Sequence, residues 1–92
     1  MSHQSEELPE GPGFIIVQLG NVVVFDTVMG EHTPVRLSVA MDASDEDDAT
    51  ARPVAMCWEP ESVELDDDEF WSLIKRAEGR WLDRLARRRR VA

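Results

Sequence analysis

Two hydrophobic periods divide the chain, one typical of strands and one typical of a helix. Segments 14–19, 22–28, 35–41 and 53–58 are rich in β-branched and aromatic residues, and 35–41 alternates strictly between apolar and other residues. Gly20 and Asn21 separate the first two segments, and a glycine followed by asparagine suits a type II′ hairpin turn. Pro53 favours an edge position for the fourth segment. The pattern therefore predicts about four antiparallel strands in a meander.

The last quarter of the chain carries the helical period. Its apolar positions are spaced by threes and fours, at Phe70, Leu73, Ile74, Ala77, Trp81, Leu82 and Leu85. Asp66 suits the N-cap, and Glu69 follows it at the spacing of a capping box. We therefore predict a long C-terminal helix over about 67–90 that covers one face of the sheet, which makes the fold α+β.

The domain organisation follows from the same pattern. Residues 1–13 hold three glutamates among two prolines and two glycines and have little to bury, so they are predicted to form a flexible acidic arm. Residues 14–92 are predicted to form a single domain. Neither a signal peptide nor a membrane span is recognisable, and Cys57 is the one cysteine, which favours a cytoplasmic location.

The predicted hairpin also predicts which residues face the core. With a two-residue loop, Leu19 faces Val22 and Val17 faces Val24, and this side joins the apolar side of 35–41 beneath the helix. The other side of the hairpin carries Phe14, Ile16, Val23 and Phe25. One helix covers one side of a sheet, so these four residues are predicted to form an exposed apolar patch that binds a target protein or a second copy of the chain. The alternative is that the acidic arm or loop folds over them.

Charge is strongly segregated along the chain. Residues 1–69 hold seventeen acids and two bases, a net charge of −15, whereas residues 70–92 hold eight bases and two acids, a net charge of +6, which together give −9. An acidic surface is predicted at Asp45, Glu46, Asp47, Asp48, Glu61 and Glu64, where carboxylates could imitate a phosphate backbone and bind a basic protein. A possible phosphate-binding end is predicted at Arg84, Arg87, Arg88, Arg89 and Arg90. The alternative for these arginines is that they stabilise the helix C-terminus and pair with the acidic loop.

The residue pattern does not indicate a catalytic site. His3 and His32 are isolated, and no CxxC or HExxH spacing occurs, so neither a metal site nor a nucleophilic centre is predicted. The aspartates of 42–48 lack the glycine and the distal glutamate of an EF-hand loop. No glycine-rich phosphate loop is present either. We predict a non-enzymatic protein without a cofactor.

Residues 63–74, Val-Glu-Leu-Asp-Asp-Asp-Glu-Phe-Trp-Ser-Leu-Ile, resemble the strand-to-helix junction of the whirly-like single-stranded-DNA-binding coactivators. The resemblance would imply a sheet that binds DNA. Those proteins bind DNA on basic, aromatic strands, however, and the strands predicted here carry almost no base.

Two functions remain open at this point. The first is a small protein-interaction domain, in the style of phage or mobile-element inhibitors such as anti-CRISPR proteins, whose acidic surface engages a basic or nucleic-acid-binding partner. The second is a homodimeric nucleic-acid-associated regulator that uses its arginine-rich helix end. The net negative charge disfavours direct nucleic-acid binding as the main function.

Overall fold

The computed structural model describes residues 2–91, with side chains described for 2–89, as an antiparallel sheet followed by one helix. Its elements are β1 Phe14–Asp26, β2 Glu31–Asp42, β3 Arg52–Glu59 and α1 Asp67–Val91, and the strand order is β1-β2-β3. The predicted α+β class and antiparallel sheet are confirmed. The strand number differs, because three strands replace the predicted four. Met1, the first residue of the predicted arm, and Ala92, the last residue of the predicted domain, lie outside the described residues.

The difference in strand number has one cause: the turn predicted at Gly20 and Asn21 does not form. Residues 14–26 form a single strand, and its pairing with β2 shifts by one residue between Gln18, opposite Ser38, and Gly20, opposite Leu37. Leu19 is therefore the extra residue of a β-bulge, and Gly20 has a φ of 74°, which glycine adopts at low cost. A two-residue turn and a one-residue bulge both move the alternation by one position. The apolar pattern is the same for both, so it could not distinguish them.

The turn between β1 and β2 lies at residues 27–30 and is closed by the pair Asp26 and Glu31, so it begins seven residues beyond the predicted turn at Gly20. The Gly30 N–H donates to the Asp26 carbonyl oxygen at 2.8 Å, and Gly30 has a φ of 69°. Val28, the last residue of the predicted second strand, lies in this turn and is 56% exposed. The resulting hairpin has strands of 13 and 12 residues, longer than the mean strand of five to six residues.

One hydrophobic cluster joins the inner face of the sheet to α1. Its largest members include Val17, Leu37, Met41, Met56, Trp58, Leu65 and Trp81. The buried helix residues are Leu73, Ile74, Ala77, Trp81 and Leu85. Leu82, predicted on the same stripe, is 56% exposed, because successive helix residues point about 100° apart and Trp81 occupies the buried direction. No helix in the described part of the chain has an apolar stretch long enough to cross a membrane.

Hydrogen bonds place part of the predicted flexible arm along the outer edge of β3. The Ser5 Oγ accepts from the Trp58 N–H at 2.8 Å, and the Glu6 N–H donates to the Met56 carbonyl oxygen at 2.9 Å. His3 and Leu65 exchange two backbone hydrogen bonds. Backbone groups at this edge of the sheet are therefore paired within the chain, which reduces the tendency of an open edge to pair with other molecules.

The start of α1 contacts the opposite edge of the sheet. Asp66 is the N-cap, as the sequence predicted, because its Oδ1 accepts from the Glu69 N–H at 2.8 Å. The Glu69 carboxylate does not fold back as in a capping box; it accepts from the Phe25 N–H of β1 at 2.9 Å. Further along the helix, Arg80 donates to the Gln18 carbonyl oxygen at 2.6 Å. Glu69 and Arg80 therefore place one side of α1 along β1.

Candidate interaction surfaces

The four residues of the predicted apolar patch lie on the outer face of the sheet, opposite the core. Phe14, Ile16 and Phe25 are 36%, 38% and 37% exposed, and Val23 is 65% exposed. The sequence assigned these residues to the outer face on the basis of a hairpin turn at Gly20 that the structure does not contain. The assignment nevertheless agrees with the structure, because the bulge at Leu19 shifts the alternation by one residue, as the predicted turn would have done.

The structure does not bring these four residues together. The predicted hairpin put Ile16 opposite Phe25. In the single strand β1, even Val23, which is nearer to Ile16 than Phe25 is, lies seven positions from Ile16, about 23 Å along the strand. A polar band lies between them, in which Ser38 donates to Gln18 at 2.8 Å and Asn21 lies opposite Arg36. The prediction of one continuous patch is therefore wrong, and the outer face has two apolar ends.

One apolar end extends across all three strands. Ile16 pairs with Ala40, and Ala40 pairs with Ala55, so this row of the outer face is entirely apolar; we call Ile16, Ala40 and Ala55 the apolar row. Phe14 lies next to it on β1. The two alanines have short side chains and are almost fully buried, whereas Ile16 and Phe14 remain exposed.

The other apolar end is the tip of the β1–β2 hairpin. The Phe25 ring packs edge-on against His32 with ring centroids 5.3 Å apart, and Val23 lies opposite Pro34. The turn residue Met29 is 68% exposed. This end covers only two strands, since β3 pairs with β2 no further than Arg36.

The acidic loop between β2 and β3 is organised by one of its own carboxylates. Asp48 accepts hydrogen bonds from the Thr50 Oγ1 at 2.6 Å, the Thr50 N–H at 2.8 Å and the Ser44 N–H at 2.9 Å. These hydrogen bonds, with that of the Thr50 side chain the largest, lower the pKa of Asp48 from its ordinary value of 3.8 to about 2. Asp48 therefore stabilises the conformation of the loop.

The lowered pKa of Asp48 predicts an acid-dependent contribution to stability. Because the folded-state pKa lies below the unfolded one, the contribution is complete above about pH 4 and is lost as the pH falls towards 2. Thermal unfolding measured from pH 5 to pH 2 should show a deficit for Asp48→Asn that shrinks over this range. Asp42→Asn removes the same charge from the neighbouring strand end and controls for general charge repulsion. A deficit that stayed constant with pH would contradict this assignment.

The acidic loop and the basic helix end meet. Arg88 forms ion pairs with Glu46 at 2.6 Å and Asp47 at 2.8 Å, and the pKa of Arg88 is raised by hydrogen bonds first to Asp47 and then to Glu46. The Trp81 Nε1–H donates to the Asp48 carbonyl oxygen at 2.8 Å. Two carboxylates of the predicted acidic surface are thus partly neutralised within the chain, as the alternative for the arginines anticipated.

Comparison with protein-family models, curated proteins and solved structures found no match to the chain.

The remaining members of the predicted acidic surface are separated. Glu61 lines a groove beside β3 together with Glu6, Glu7 and Glu10. The sequence did not group them, because their proximity depends on the hydrogen bonds of Ser5 and Glu6 to β3. Glu64 lies elsewhere, since its N–H donates to Asp26 and its carbonyl oxygen accepts from Thr27 at the end of β1.

The predicted phosphate-binding arginines also divide into separate groups. The Arg84 guanidinium lies 5.9 Å from the Trp81 ring centroid, and Arg87 and Arg89 are exposed. The Arg90 side chain lies outside the described part of the chain. The sequence did not single out Arg76 and Arg80, yet both line a depression of about 700 Å³ around Gly79, together with Asp83, Arg84 and Arg87. Their helical spacing could have revealed this, because positions 76, 80, 84 and 87 share one side of a helix.

The histidines and the cysteine occupy separate places. His3 stacks on Phe70 with ring centroids 4.0 Å apart, and its Nε2 lies 2.5 Å from the Asp67 Oδ1, a hydrogen bond that lowers the pKa of Asp67. His32 contacts Phe25, and Cys57 is half-buried in β3. Among the described residues, no three side chains of histidine, cysteine, aspartate or glutamate are grouped to bind a metal ion.

Proposed function

We propose that this protein is a small non-enzymatic interaction domain that binds a basic protein through the outer face of its sheet. The observation that carries the proposal is the apolar row, Ile16, Ala40 and Ala55, which crosses all three strands beside Phe14. In this proposal α1 covers the inner face, so that the outer face is available to the partner.

The exposed part of this surface is Ile16 together with its neighbour Phe14. Both retain more than a third of their surface in contact with water, whereas Ala40 and Ala55 are buried and continue the row across the sheet. Complete burial of a large apolar side chain contributes about 1.5–3 kcal/mol. A partner that covered the exposed part of these two would recover a fraction of that contribution for each, with the surrounding backbone already ordered by the sheet.

The net negative charge of the region that contains the sheet favours a basic partner. The 69 residues that contain the sheet carry a net charge of −15, so a second copy docked on the same face would bring an equal negative charge towards it. A basic protein would be attracted, and its association rate would fall as salt increases. The charge argument therefore supports a basic partner over a homodimer, although the homodimer is retained as an outcome of the test.

A narrower version is inhibition of a nucleic-acid-binding protein, as in the phage and mobile-element inhibitors. The acidic loop follows Asp42, which pairs with Phe14 beside the apolar row, so carboxylates and apolar contact would reach a partner at the same end of the sheet. Arg88 pairs with Glu46 and Asp47 in that loop, so the carboxylates that could occupy phosphate positions are those that Arg88 leaves unpaired.

The proposal is tested by capture from cell extract with matched surface variants. Ile16→Lys places a positive charge at the edge of the apolar row, and Val23→Lys makes the same change at the other apolar end about 23 Å away. We expect a basic protein to be captured by the wild type and by Val23→Lys and to be lost with Ile16→Lys. Circular dichroism should show that both variants remain folded, because both sites are exposed.

Three results would contradict the proposal. The first is that capture does not depend on Ile16. The second is that the captured protein is acidic. The third is that the isolated chain forms a dimer by light scattering and that Ile16→Lys makes it monomeric, which would assign the apolar row to self-association and favour the homodimeric alternative.

A further inference from the structure

We propose that the exposed side of α1 beside β1 binds the phosphate backbone of nucleic acid through Arg76, Arg80, Arg84 and Arg87, which we call the arginine row. This inference uses a different surface from the proposed protein contact and does not depend on it. It also differs from the arginine end predicted from the sequence, because it includes Arg76 and Arg80 and leaves out Arg88, which is paired with the acidic loop.

The helix geometry places these four side chains along one side of α1. Positions 76, 80 and 87 follow Glu69 by 7, 11 and 18 residues, close to whole numbers of helical turns, and Glu69 and Arg80 both contact β1. From Arg76 to Arg87 the row extends about 16 Å at 1.5 Å per residue. A nucleic-acid strand in a B-form duplex has one phosphate per 3.4 Å of axis, so a row of this length passes about five phosphates.

Gly79 gives the row its concave shape. It lacks a side chain, and a Cβ built on it would meet nothing within 4 Å. The arginines surround this depression, and Asp83 is the one acid among its lining residues. The local charge is therefore strongly positive on a protein whose total charge is −9, and the acidic remainder would orient an approaching polyanion towards this side of the helix.

Two of the four guanidinium groups are already positioned. Arg80 is held by the Gln18 carbonyl oxygen at 2.6 Å, and Arg84 lies over the Trp81 ring. Positioned side chains lose less conformational entropy when they bind. All four are arginine, whose planar group donates two parallel hydrogen bonds to a phosphate.

The contacts within the chain favour phosphate over carboxylate as the ligand. Fourteen acids precede α1 in the sequence. Among the described residues, however, the arginine that forms ion pairs is Arg88, while Arg80 and Arg84 contact a carbonyl oxygen and a ring. A straight row with nearly regular spacing also suits a polymer whose charges are evenly spaced. An acidic protein segment has no such fixed spacing.

The first measurement is fluorescence anisotropy of a labelled single-stranded DNA with the full chain over a range of salt concentrations. Four phosphate contacts predict a slope of log K against log salt of about −3. Arg80→Gln should make the slope less steep by about 0.7 and weaken binding about fivefold at 0.1 M salt. Lys75→Gln removes the same charge from a different side of α1 and should leave the slope unchanged.

A second pair of variants tests the depression without removing an arginine. Gly79→Glu places a carboxylate in the centre of the row, and Gly79→Gln places a neutral side chain of nearly the same size there. Both residues favour a helix more than glycine does, so neither variant should lower the thermal midpoint. We expect Gly79→Glu to weaken DNA binding at least tenfold more than Gly79→Gln does, on the order of the effect of losing one or two phosphate contacts.

Several outcomes would overturn the inference. Wild-type binding that does not depend on salt, equal affinities of Gly79→Glu and Gly79→Gln, or a slope that changes as much for Lys75→Gln as for Arg80→Gln would each do so. Competition by a poly-glutamate peptide as strong as that by unlabelled DNA would assign the row to an acidic protein instead. Because Ile16→Lys lies on the outer face of the sheet, it should leave DNA binding unreduced, so that failure of this inference and failure of the proposed protein contact can be distinguished.

Discussion

Replacing Trp58 with alanine is expected to lower the free energy of unfolding by about 3–5 kcal/mol, the usual range for removing a buried tryptophan. Trp58 is completely buried in β3 opposite Leu37, and its Nε1–H donates to the Val63 carbonyl oxygen at 2.8 Å. Small domains are stable by about 5–15 kcal/mol in total, so this one change would remove a large share of the stability. Urea denaturation followed by far-ultraviolet circular dichroism measures it.

Trp58→Phe separates packing from hydrogen bonding at the same position. Phenylalanine retains most of the apolar volume and leaves the buried Val63 carbonyl oxygen without its donor, at a cost of about 1–3 kcal/mol. The phenylalanine variant should therefore lie between the wild type and the alanine variant. If alanine cost less than about 1 kcal/mol, Trp58 could not be a central core residue as described.

Replacing Asp26 with alanine is expected to lower the free energy of unfolding by about 2–4 kcal/mol, the second largest effect. Asp26 is 3% exposed at the end of β1, and its Oδ1 accepts from the Val28 N–H at 3.0 Å and the Glu64 N–H at 3.3 Å. One carboxylate thus joins the β1–β2 turn to the segment that leads into α1. Alanine would leave both N–H groups without an acceptor.

Asp26→Asn is the control, because its side-chain oxygen can still accept while the negative charge is removed. It should cost about half as much as alanine, since hydrogen bonds to a charged acceptor are roughly twice as strong as neutral ones. Chemical denaturation of both variants measures the difference. Equal losses for alanine and asparagine would show that the charge rather than the acceptor geometry stabilises this junction.

The faces of the sheet were predictable although the strands were not. The alternation of Val17, Val24, Leu37 and Val39 identifies the buried side whether Gly20 lies in a turn or in a bulge, since either shifts the period by one. What distinguishes a turn from a bulge is the pairing with β2. That pairing depends on where the chain reverses, at residues 27–30, where the sequence predicted a strand as far as Val28.

The distance between the exposed apolar residues, by contrast, could not be predicted without the tertiary structure. Ile16 and Phe25 are both exposed, but their distance from one another depends on whether they share one strand or face each other across two. The charge segregation shows the same limit. Composition predicted an acidic body and a basic helix. The pairing of Arg88 with Glu46 and Asp47, and the grouping of the arginine row around Gly79, depend on how the helix lies against the loop and the sheet.

The amino-acid sequence by itself determined the α+β class, the residues that begin the helix and the two sides of each strand, because these depend on local hydrogen bonding and on periods of two and 3.6 residues. The tertiary structure decided the strand number, the placement of Ser5 and Glu6 along β3, the junction at Asp26 and the division of both charged and apolar surfaces. These depend on contacts between residues distant in sequence, whose geometry no local pattern specifies.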